Sequence, residues 1–262
     1  MAGTNEPKLS VSLIQYNIEW EDVNQNLQQI EYLLSSSTPS DLYILPETFS
    51  TGFTMQARQF AEEESGPTLQ WMKEKARMLN AVLMGSTIIK EGKHVYNRLL
   101  WVSPEGILGR YDKRHLFRIG GEHENYSPGK SRVTFTLKGF RILPLICYYL
   151  RFPVFSRNRN DYDILVYVAN WPAPRQHVWN TLLQARAIEN QCVVLGVSRV
   201  GKDGDGTDHI GGTAVINPYG QIKATLGNTP GVLNYDITLS EIREFRKKFP
   251  VWKDADEFTM PM

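Results

Sequence analysis

The tightest constraint on the fold is a set of short apolar runs separated by helix-patterned stretches. DLYILPE (41–47), DILVYVAN (163–170) and CVVLGVSRV (192–200) are too short to be buried helices and are bounded by turn residues, so each reads as a strand inside a core. KLSVSLIQYN (8–17) alternates as a strand does. DVNQNLQQIEYLL (22–34) spaces its apolar residues helically behind Asp22, a predicted cap. A further helix is predicted over 67–79, entered through Gly66-Pro67, then strands near 81–89, 95–102 and 107–111 and a hairpin over 133–147. A short helix from Pro153, a strong helix over 175–190, two strands across the Asn-Pro-Tyr-Gly turn of 211–226, a strand at 231–237 and a helix over 239–248 complete the pattern. Hairpins mixed with single-strand crossovers predict a layered α/β sandwich, not the strict repeat of a barrel. No linker, repeat or low-complexity tract divides the chain. Residues 1–262 therefore read as one domain, with a core over about 8–237 and a C-terminal helix and tail over 238–262.

Charge narrows the partners. Twenty-nine Lys and Arg against twenty-eight Asp and Glu leave a net charge of +1, so no overall field gathers nucleic acid or an anionic membrane. A small ligand is the expected partner. The opening MAGTNEPKLSVSLIQY carries no basic stretch followed by an apolar one, Ala2 stands where myristoylation needs glycine, and no apolar run reaches spanning length. A cytoplasmic location is expected. Two cysteines, Cys147 and Cys192, without Cys-x-x-Cys or Cys/His clustering, argue against a disulfide framework or structural zinc.

Candidate chemistry sits where strands end. LPLICYYLRFP (143–153) leaves an apolar strand at Cys147 and turns into tyrosines, an arginine and a proline. A cysteine there is either packing or a nucleophile, and a nucleophile needs a base and an electropositive neighbour. Cys192, inside QCVVLGV, reads as packing. None of the five histidines marks itself as the base; His115 alone lies near another candidate motif, and His209 lies in a Gly/Asp-rich loop. Glu47 ends LYIL behind Pro46, and Lys113 follows a strand in GRYDKRHLF. Taken singly, each is equally at home as a solvated surface charge.

Together these segments resemble the nitrilase, or carbon–nitrogen hydrolase, superfamily over nearly the whole chain. The marks are a Glu after a buried strand (ILPETF), a Lys in DKRHLF and a Cys in ICYYLRFP, in the right order and spacing. KRHLFRIGGEHENYSPG, FPVFSRNRNDYDILVYVANWP and LLQARAIENQCVVLGVSRVG most resemble the ω-amidase branch. The resemblance implies an αββα four-layer sandwich and a Glu47–Lys113–Cys147 triad. It also implies a second glutamate at Glu122, a homodimer, and neither metal nor organic cofactor. One departure stands out: the family has Asp two residues after the nucleophile, and this chain has Tyr149.

The triad makes sense as proton chemistry. An unperturbed thiol (pKa about 8.5) and carboxylate (about 4.3) would exchange a proton uphill by roughly 5.7 kcal/mol. Burial of Glu47 and an ammonium beside the sulfur are expected to close that gap. Glu47 is then the base, Cys147 the nucleophile, and Lys113 with the backbone N–H of Tyr148 the oxyanion donors. The resemblance implies a short 2-oxo dicarboxylic acid monoamide as substrate, with water as the second reactant. Its far carboxylate suits an arginine, with Arg118, Arg151 and Arg175 all near the motifs, and Phe117 and Trp171 as candidate apolar walls. Alternatives are another amide or N-carbamoyl hydrolase of the superfamily, or an inactive binding scaffold. DGDGTD (203–208) fits neither a phosphatase nucleophile loop nor an EF-hand, and reads as a polar loop.

Overall fold

A computed structural model describes residues 6–259; the first five residues, Ala2 among them, and the last three lie outside the described residues. In chain order the strands are β1 (Lys8–Gln15), β2 (Leu42–Ile44), β3 (Val82–Glu91), β4 (His94–Ser103), β5 (Gly106–Asp112), β6 (Phe135–Leu137), β7 (Phe140–Ile146), β8 (Ile164–Ala169), β9 (Val193–Ser198), β10 (Val200–Lys202), β11 (Asp208–Ile210), β12 (Ala214–Ile216), β13 (Ile222–Thr225) and β14 (Gly231–Thr238). The helices are α1 (Val23–Ser35), α2 (Ala57–Phe60), α3 (Pro67–Leu79), α4 (Glu122–Asn125), α5 (Pro153–Ser156), α6 (Gln176–Asn190) and α7 (Leu239–Lys248).

Two six-stranded sheets result, ordered β14-β1-β2-β3-β4-β5 and β13-β12-β9-β8-β7-β6, with β10 and β11 forming a separate hairpin. In each sheet three strands run parallel, β1 to β3 and β7 to β9, and antiparallel strands flank them. The period of two decides the layers. Val11, Leu13, Leu42, Ile44, Val82 and Met84 point toward the second sheet, while Ile14, Tyr43 and Leu83 point the other way, onto Ile30 and Leu34 of α1 and Leu69 and Met72 of α3. On the far side Trp179, Leu183 and Ala187 of α6 and Leu239 and Ile242 of α7 cover the second sheet. The order of layers is helix, sheet, sheet, helix. Each fully buried Leu or Ile in these layers contributes roughly 1.5–3 kcal/mol.

Local signals place the helices as expected. Asp22 Oδ1 accepts the Gln25 N–H at 3.0 Å, so the cap read from sequence forms. α3 opens with Pro67 at its first position and stops at Asn80, whose φ of 48° is left-handed. α6 approaches β9 closely because Gly196 has no side chain: a Cβ there would lie 2.6 Å from Leu183 Cδ1. Sequence patterning did not mark the one-turn helices α2 and α4, too short for any periodicity, or the β10–β11 hairpin, which carries DGDGTD at its tip.

Candidate active site

Four side chains converge where strands of both sheets end. Glu47 follows β2 and Lys113 follows β5, both in the first sheet; Cys147 follows β7 and Asn170 follows β8, in the second. Ends of parallel strands are where an α/β sheet opens to a ligand. Glu47 and Lys113 are each 1% exposed and Glu122 is fully buried, so none of the three is a solvated surface charge. Lys113 Nζ donates to Glu47 Oε1 at 2.8 Å and pairs with Glu122 Oε1 at 3.0 Å. Glu47 Oε1 also accepts from Asn97 Nδ2 at 2.9 Å, and its Oε2 accepts the backbone N–H of Asn170 at 3.0 Å. Asn170 Nδ2 donates in turn to the Glu47 carbonyl at 2.7 Å. Glu122, opening α4, is held by the Phe117 N–H on Oε2 at 2.5 Å.

Cys147 begins a 3-10 turn, Cys147–Arg151, with φ of 47°. A non-glycine side chain in the left-handed region marks backbone held against its preference, a feature concentrated at reactive turns. The thiol faces the Glu47 carboxylate. Burial pushes its pKa well above the ordinary thiol value, Glu47 pushes the same way, and Lys113 offsets this only in part. The ammonium lies between two carboxylates that largely cancel its field at sulfur. Burial also opposes the Lys113 charge, but Glu122 and then Glu47 outweigh it and hold its pKa above the ordinary lysine range. Burial raises the Glu122 carboxyl, Glu47 adds to this, and Lys113 opposes both. The resting site is thus a neutral thiol, an ammonium and its two acids.

A cavity of about 180 Å³ opens above the thiol, lined among others by Lys113, Phe117, Tyr148, Arg151, Trp171 and Arg175. That is below the ~300–1,000 Å³ of pockets that take drug-sized ligands, and suits a substrate of few heavy atoms. Arg151 stacks over Trp171 at 5.7 Å and Arg175 over Phe117 at 5.6 Å, so two guanidiniums are presented on aromatic supports. Arg118 does not line this cavity; it borders a separate surface hollow with His115, His123 and Lys130.

Some contributors were not legible in sequence. Asn97 and Asn170 orient Glu47, yet both are ordinary strand and strand-end asparagines with no motif of their own. The DGDGTD loop, read as merely polar, folds over the cavity: Asp203, Asp205, Thr207 and His209 line it. His209 is buried, with Nδ1 3.0 Å from the Trp171 carbonyl and Nε2 3.2 Å from Asp203 Oδ2. Its Gly-rich setting gave no sign of burial. His115 stacks on Phe152 at 4.2 Å and is not among the cavity's lining residues. Cys192 is fully buried and packs, as read.

The fold and the acid–lysine–thiol cluster define a hydrolase of carbon–nitrogen bonds. The carbon-nitrogen hydrolase family matches residues 10–247, and the chain belongs to that family. Omega-amidase YafV of Escherichia coli K12 is 45% identical over 255 residues, covering 97% of this chain and 99% of its own. 2-oxoglutaramate amidase of Bacillus subtilis 168 is 32% identical, covering 94% and 97%. A CN-hydrolase superfamily protein from Xanthomonas campestris, solved with an arsenic adduct in the active site, superposes with a TM-score of 0.94 at 43% identity over 97% of this chain and 99% of that one. The chain is an amide-hydrolysing enzyme.

Proposed function

We propose that the protein is an ω-amidase: it releases ammonia from the carboxamide of a short 2-oxo dicarboxylic acid monoamide, such as 2-oxoglutaramate or 2-oxosuccinamate. The reaction starts when Glu47 takes the Cys147 proton as sulfur attacks the amide carbon. Glu47 is held in place by three protein donors and faces the thiol directly. Proton removal is concerted with attack because the resting thiol is neutral. Lys113 donates to Glu47 and is ion-paired with Glu122, which leaves an N–H for the oxyanion alongside the Tyr148 N–H. Protonated Glu47 then gives its proton to the leaving nitrogen, and ammonia departs. Water, activated by Glu47, cleaves the thioester to the acid and regenerates the thiol. Glu122 fixes Lys113.

The far carboxylate of the substrate is assigned to Arg151 and Arg175, the two arginines at the cavity, with Phe117 and Trp171 as its walls. The reading treats the chain as a single catalytic unit acting in the cytoplasm. It pairs as a homodimer through α6 and the adjoining β12–β13 turn, where Ile188, Tyr219 and Ile222 are exposed. Among the described residues no helix is long and apolar enough to cross a membrane.

The observation that carries the proposal is the buried Glu47–Lys113–Glu122 ion triplet against Cys147, beneath a small cavity that presents two arginines. The test is ammonia release from 2-oxoglutaramate, 2-oxosuccinamate, glutamine, asparagine and simple nitriles, with Cys147→Ala as control. Oxo-amides are expected to be preferred and Cys147→Ala to be inactive. Absence of release from every oxo-amide rejects the assignment.

A further inference from the structure

We propose that Tyr149 is a positioning residue that ties the nucleophile turn to the lysine segment, holding Lys113 and Cys147 in mutual register across the two sheets. The inference rests on the roles assigned to those two residues above. It starts from the departure noted in the sequence, a phenol two residues after the cysteine.

Tyr149 is fully buried, and it is not among the residues lining the cavity, so its hydroxyl touches no substrate. Its oxygen accepts the backbone N–H of Arg114 at 2.8 Å and of His115 at 3.2 Å. These are the two amides immediately after Lys113. Lys113 itself is anchored on the first-sheet side, its N–H donating to the Asn97 carbonyl at 3.0 Å, and its carbonyl accepts the Gly129 N–H at 2.9 Å. Beyond β5 the chain leaves the ladder, and its next two donors end on an oxygen carried by the turn of the second sheet. A hydroxyl has two lone pairs, and both are engaged here. The ring is fixed as well: Tyr111, His115 and Phe155 surround it at centroid distances of 5.9, 4.8 and 4.8 Å. The Tyr111 hydroxyl is the neighbouring polar group. A rigid six-membered ring and its hydroxyl thus bridge the segment bearing the ammonium to the turn bearing the sulfur.

The consequence is specific. Removing the oxygen takes from the Arg114 and His115 amides their acceptor on the second sheet's turn, and the segment 113–115 is free to shift. The Lys113 ammonium then moves relative to sulfur, although every group that touches substrate is still present.

Tyr149→Phe, Tyr43→Phe and the protein carrying 3-fluorotyrosine at position 149 test this. Each is assayed for the pH dependence of Cys147 alkylation by iodoacetamide and for ammonia release. For Tyr149→Phe the alkylation profile is expected to move to higher pH by about half a unit or more, since the thiolate loses part of its cation. Its kcat falls roughly ten- to hundredfold, the scale of an ångström-sized misplacement, with KM little changed. Fluorotyrosine, which keeps the ring and weakens the acceptor, gives a smaller shift of the same sign and covers the case in which Tyr149→Phe does not fold. Tyr43→Phe removes a buried hydroxyl on the opposite face of the first sheet, bonded to Ser40 and Thr38, and leaves both readouts at wild type. A Tyr149→Phe enzyme with the wild-type alkylation profile and kcat overturns the proposal, as does a Tyr43→Phe enzyme that matches the altered one. Alkylation needs no amide substrate, so a wrong substrate assignment would silence ammonia release in every form while leaving this comparison intact.

Discussion

Replacing Lys113 by methionine keeps all but the last atom of the side chain's length and deletes one charge from a buried cluster of three. The ammonium lies 2.8 Å from Glu47 and 3.0 Å from Glu122, all within a region at most 1% exposed. At an effective dielectric of about 20, each contact is a gross attraction of roughly 5–6 kcal/mol. The net loss is smaller, because a carboxylate stripped of its cation takes up a proton. Moving one carboxyl from its ordinary pKa of about 4.3 to protonated at pH 7.5 requires about 4.4 kcal/mol, which caps the loss from that group. This agrees with the ~3–5 kcal/mol usual for breaking a buried pair. For a chain of this size about 4 kcal/mol lowers Tm by roughly 8–16 °C.

The loss should also depend on pH. In the variant the folded state holds a proton that the unfolded state releases near its ordinary carboxyl pKa, so stability relative to wild type recovers as pH falls toward 5 and worsens toward 8. Urea unfolding of both proteins at pH 5.5, 6.5 and 7.5 measures this. A Lys113→Met protein as stable as wild type, or with a deficit that does not change with pH, would show that the two glutamates are not charged together around the lysine, and the mechanism built on that triplet would fall.

Glu47→Gln should separate two properties of the thiol: because the carboxylate raises the Cys147 pKa, its removal speeds simple alkylation at fixed pH, while ammonia release is lost for want of a base. Parallel loss of both readouts would contradict the electrostatic assignment. Arg151→Met and Arg175→Met should raise KM for 2-oxo dicarboxylic monoamides roughly ten- to hundredfold, the worth of a charged hydrogen bond, and leave neutral amides little affected. Equal effects on both substrate classes would remove the arginines from carboxylate binding. Burial, followed by the Arg199 charge, holds the His209 pKa below its ordinary value. The unfolded state therefore takes up the proton first, and the stability His209 contributes above about pH 6.5 is lost as pH falls through the folded pKa. His209→Asn should flatten that slope in urea titrations between pH 7.5 and 5.5, and an unchanged slope would mean the histidine does not titrate with unfolding.

The reading of sequence succeeded where a signal was local. Asp22, Gly66-Pro67 and the Asn-Pro-Tyr-Gly turn carry their conformations in a few residues, and α1, α3 and the β12–β13 connection form there. Glu47, Lys113 and Cys147 were recoverable because each follows a strand, although only the combined motifs distinguished them from packing or surface charge. Asn97 and Asn170 escaped because their value lies in which atom of Glu47 they meet across 50 and 123 residues. The DGDGTD segment is the polar loop it was read as, but its place at the cavity was hidden for a related reason. Its composition is that of any exposed turn, and only the β10–β11 pairing brings Asp203 and His209 to the cavity. Tyr149 was visible as an exception, but its partners are backbone amides, which no side-chain pattern reveals.

Because the acid and the lysine hang from one sheet while the sulfur hangs from the other, neither half of the polypeptide owns a working centre. Catalysis can emerge only once the two slabs have docked, so a nascent or partly melted chain carries an ordinary thiol with no base beside it. Turnover itself then becomes a gauge of whether the interior seam is closed.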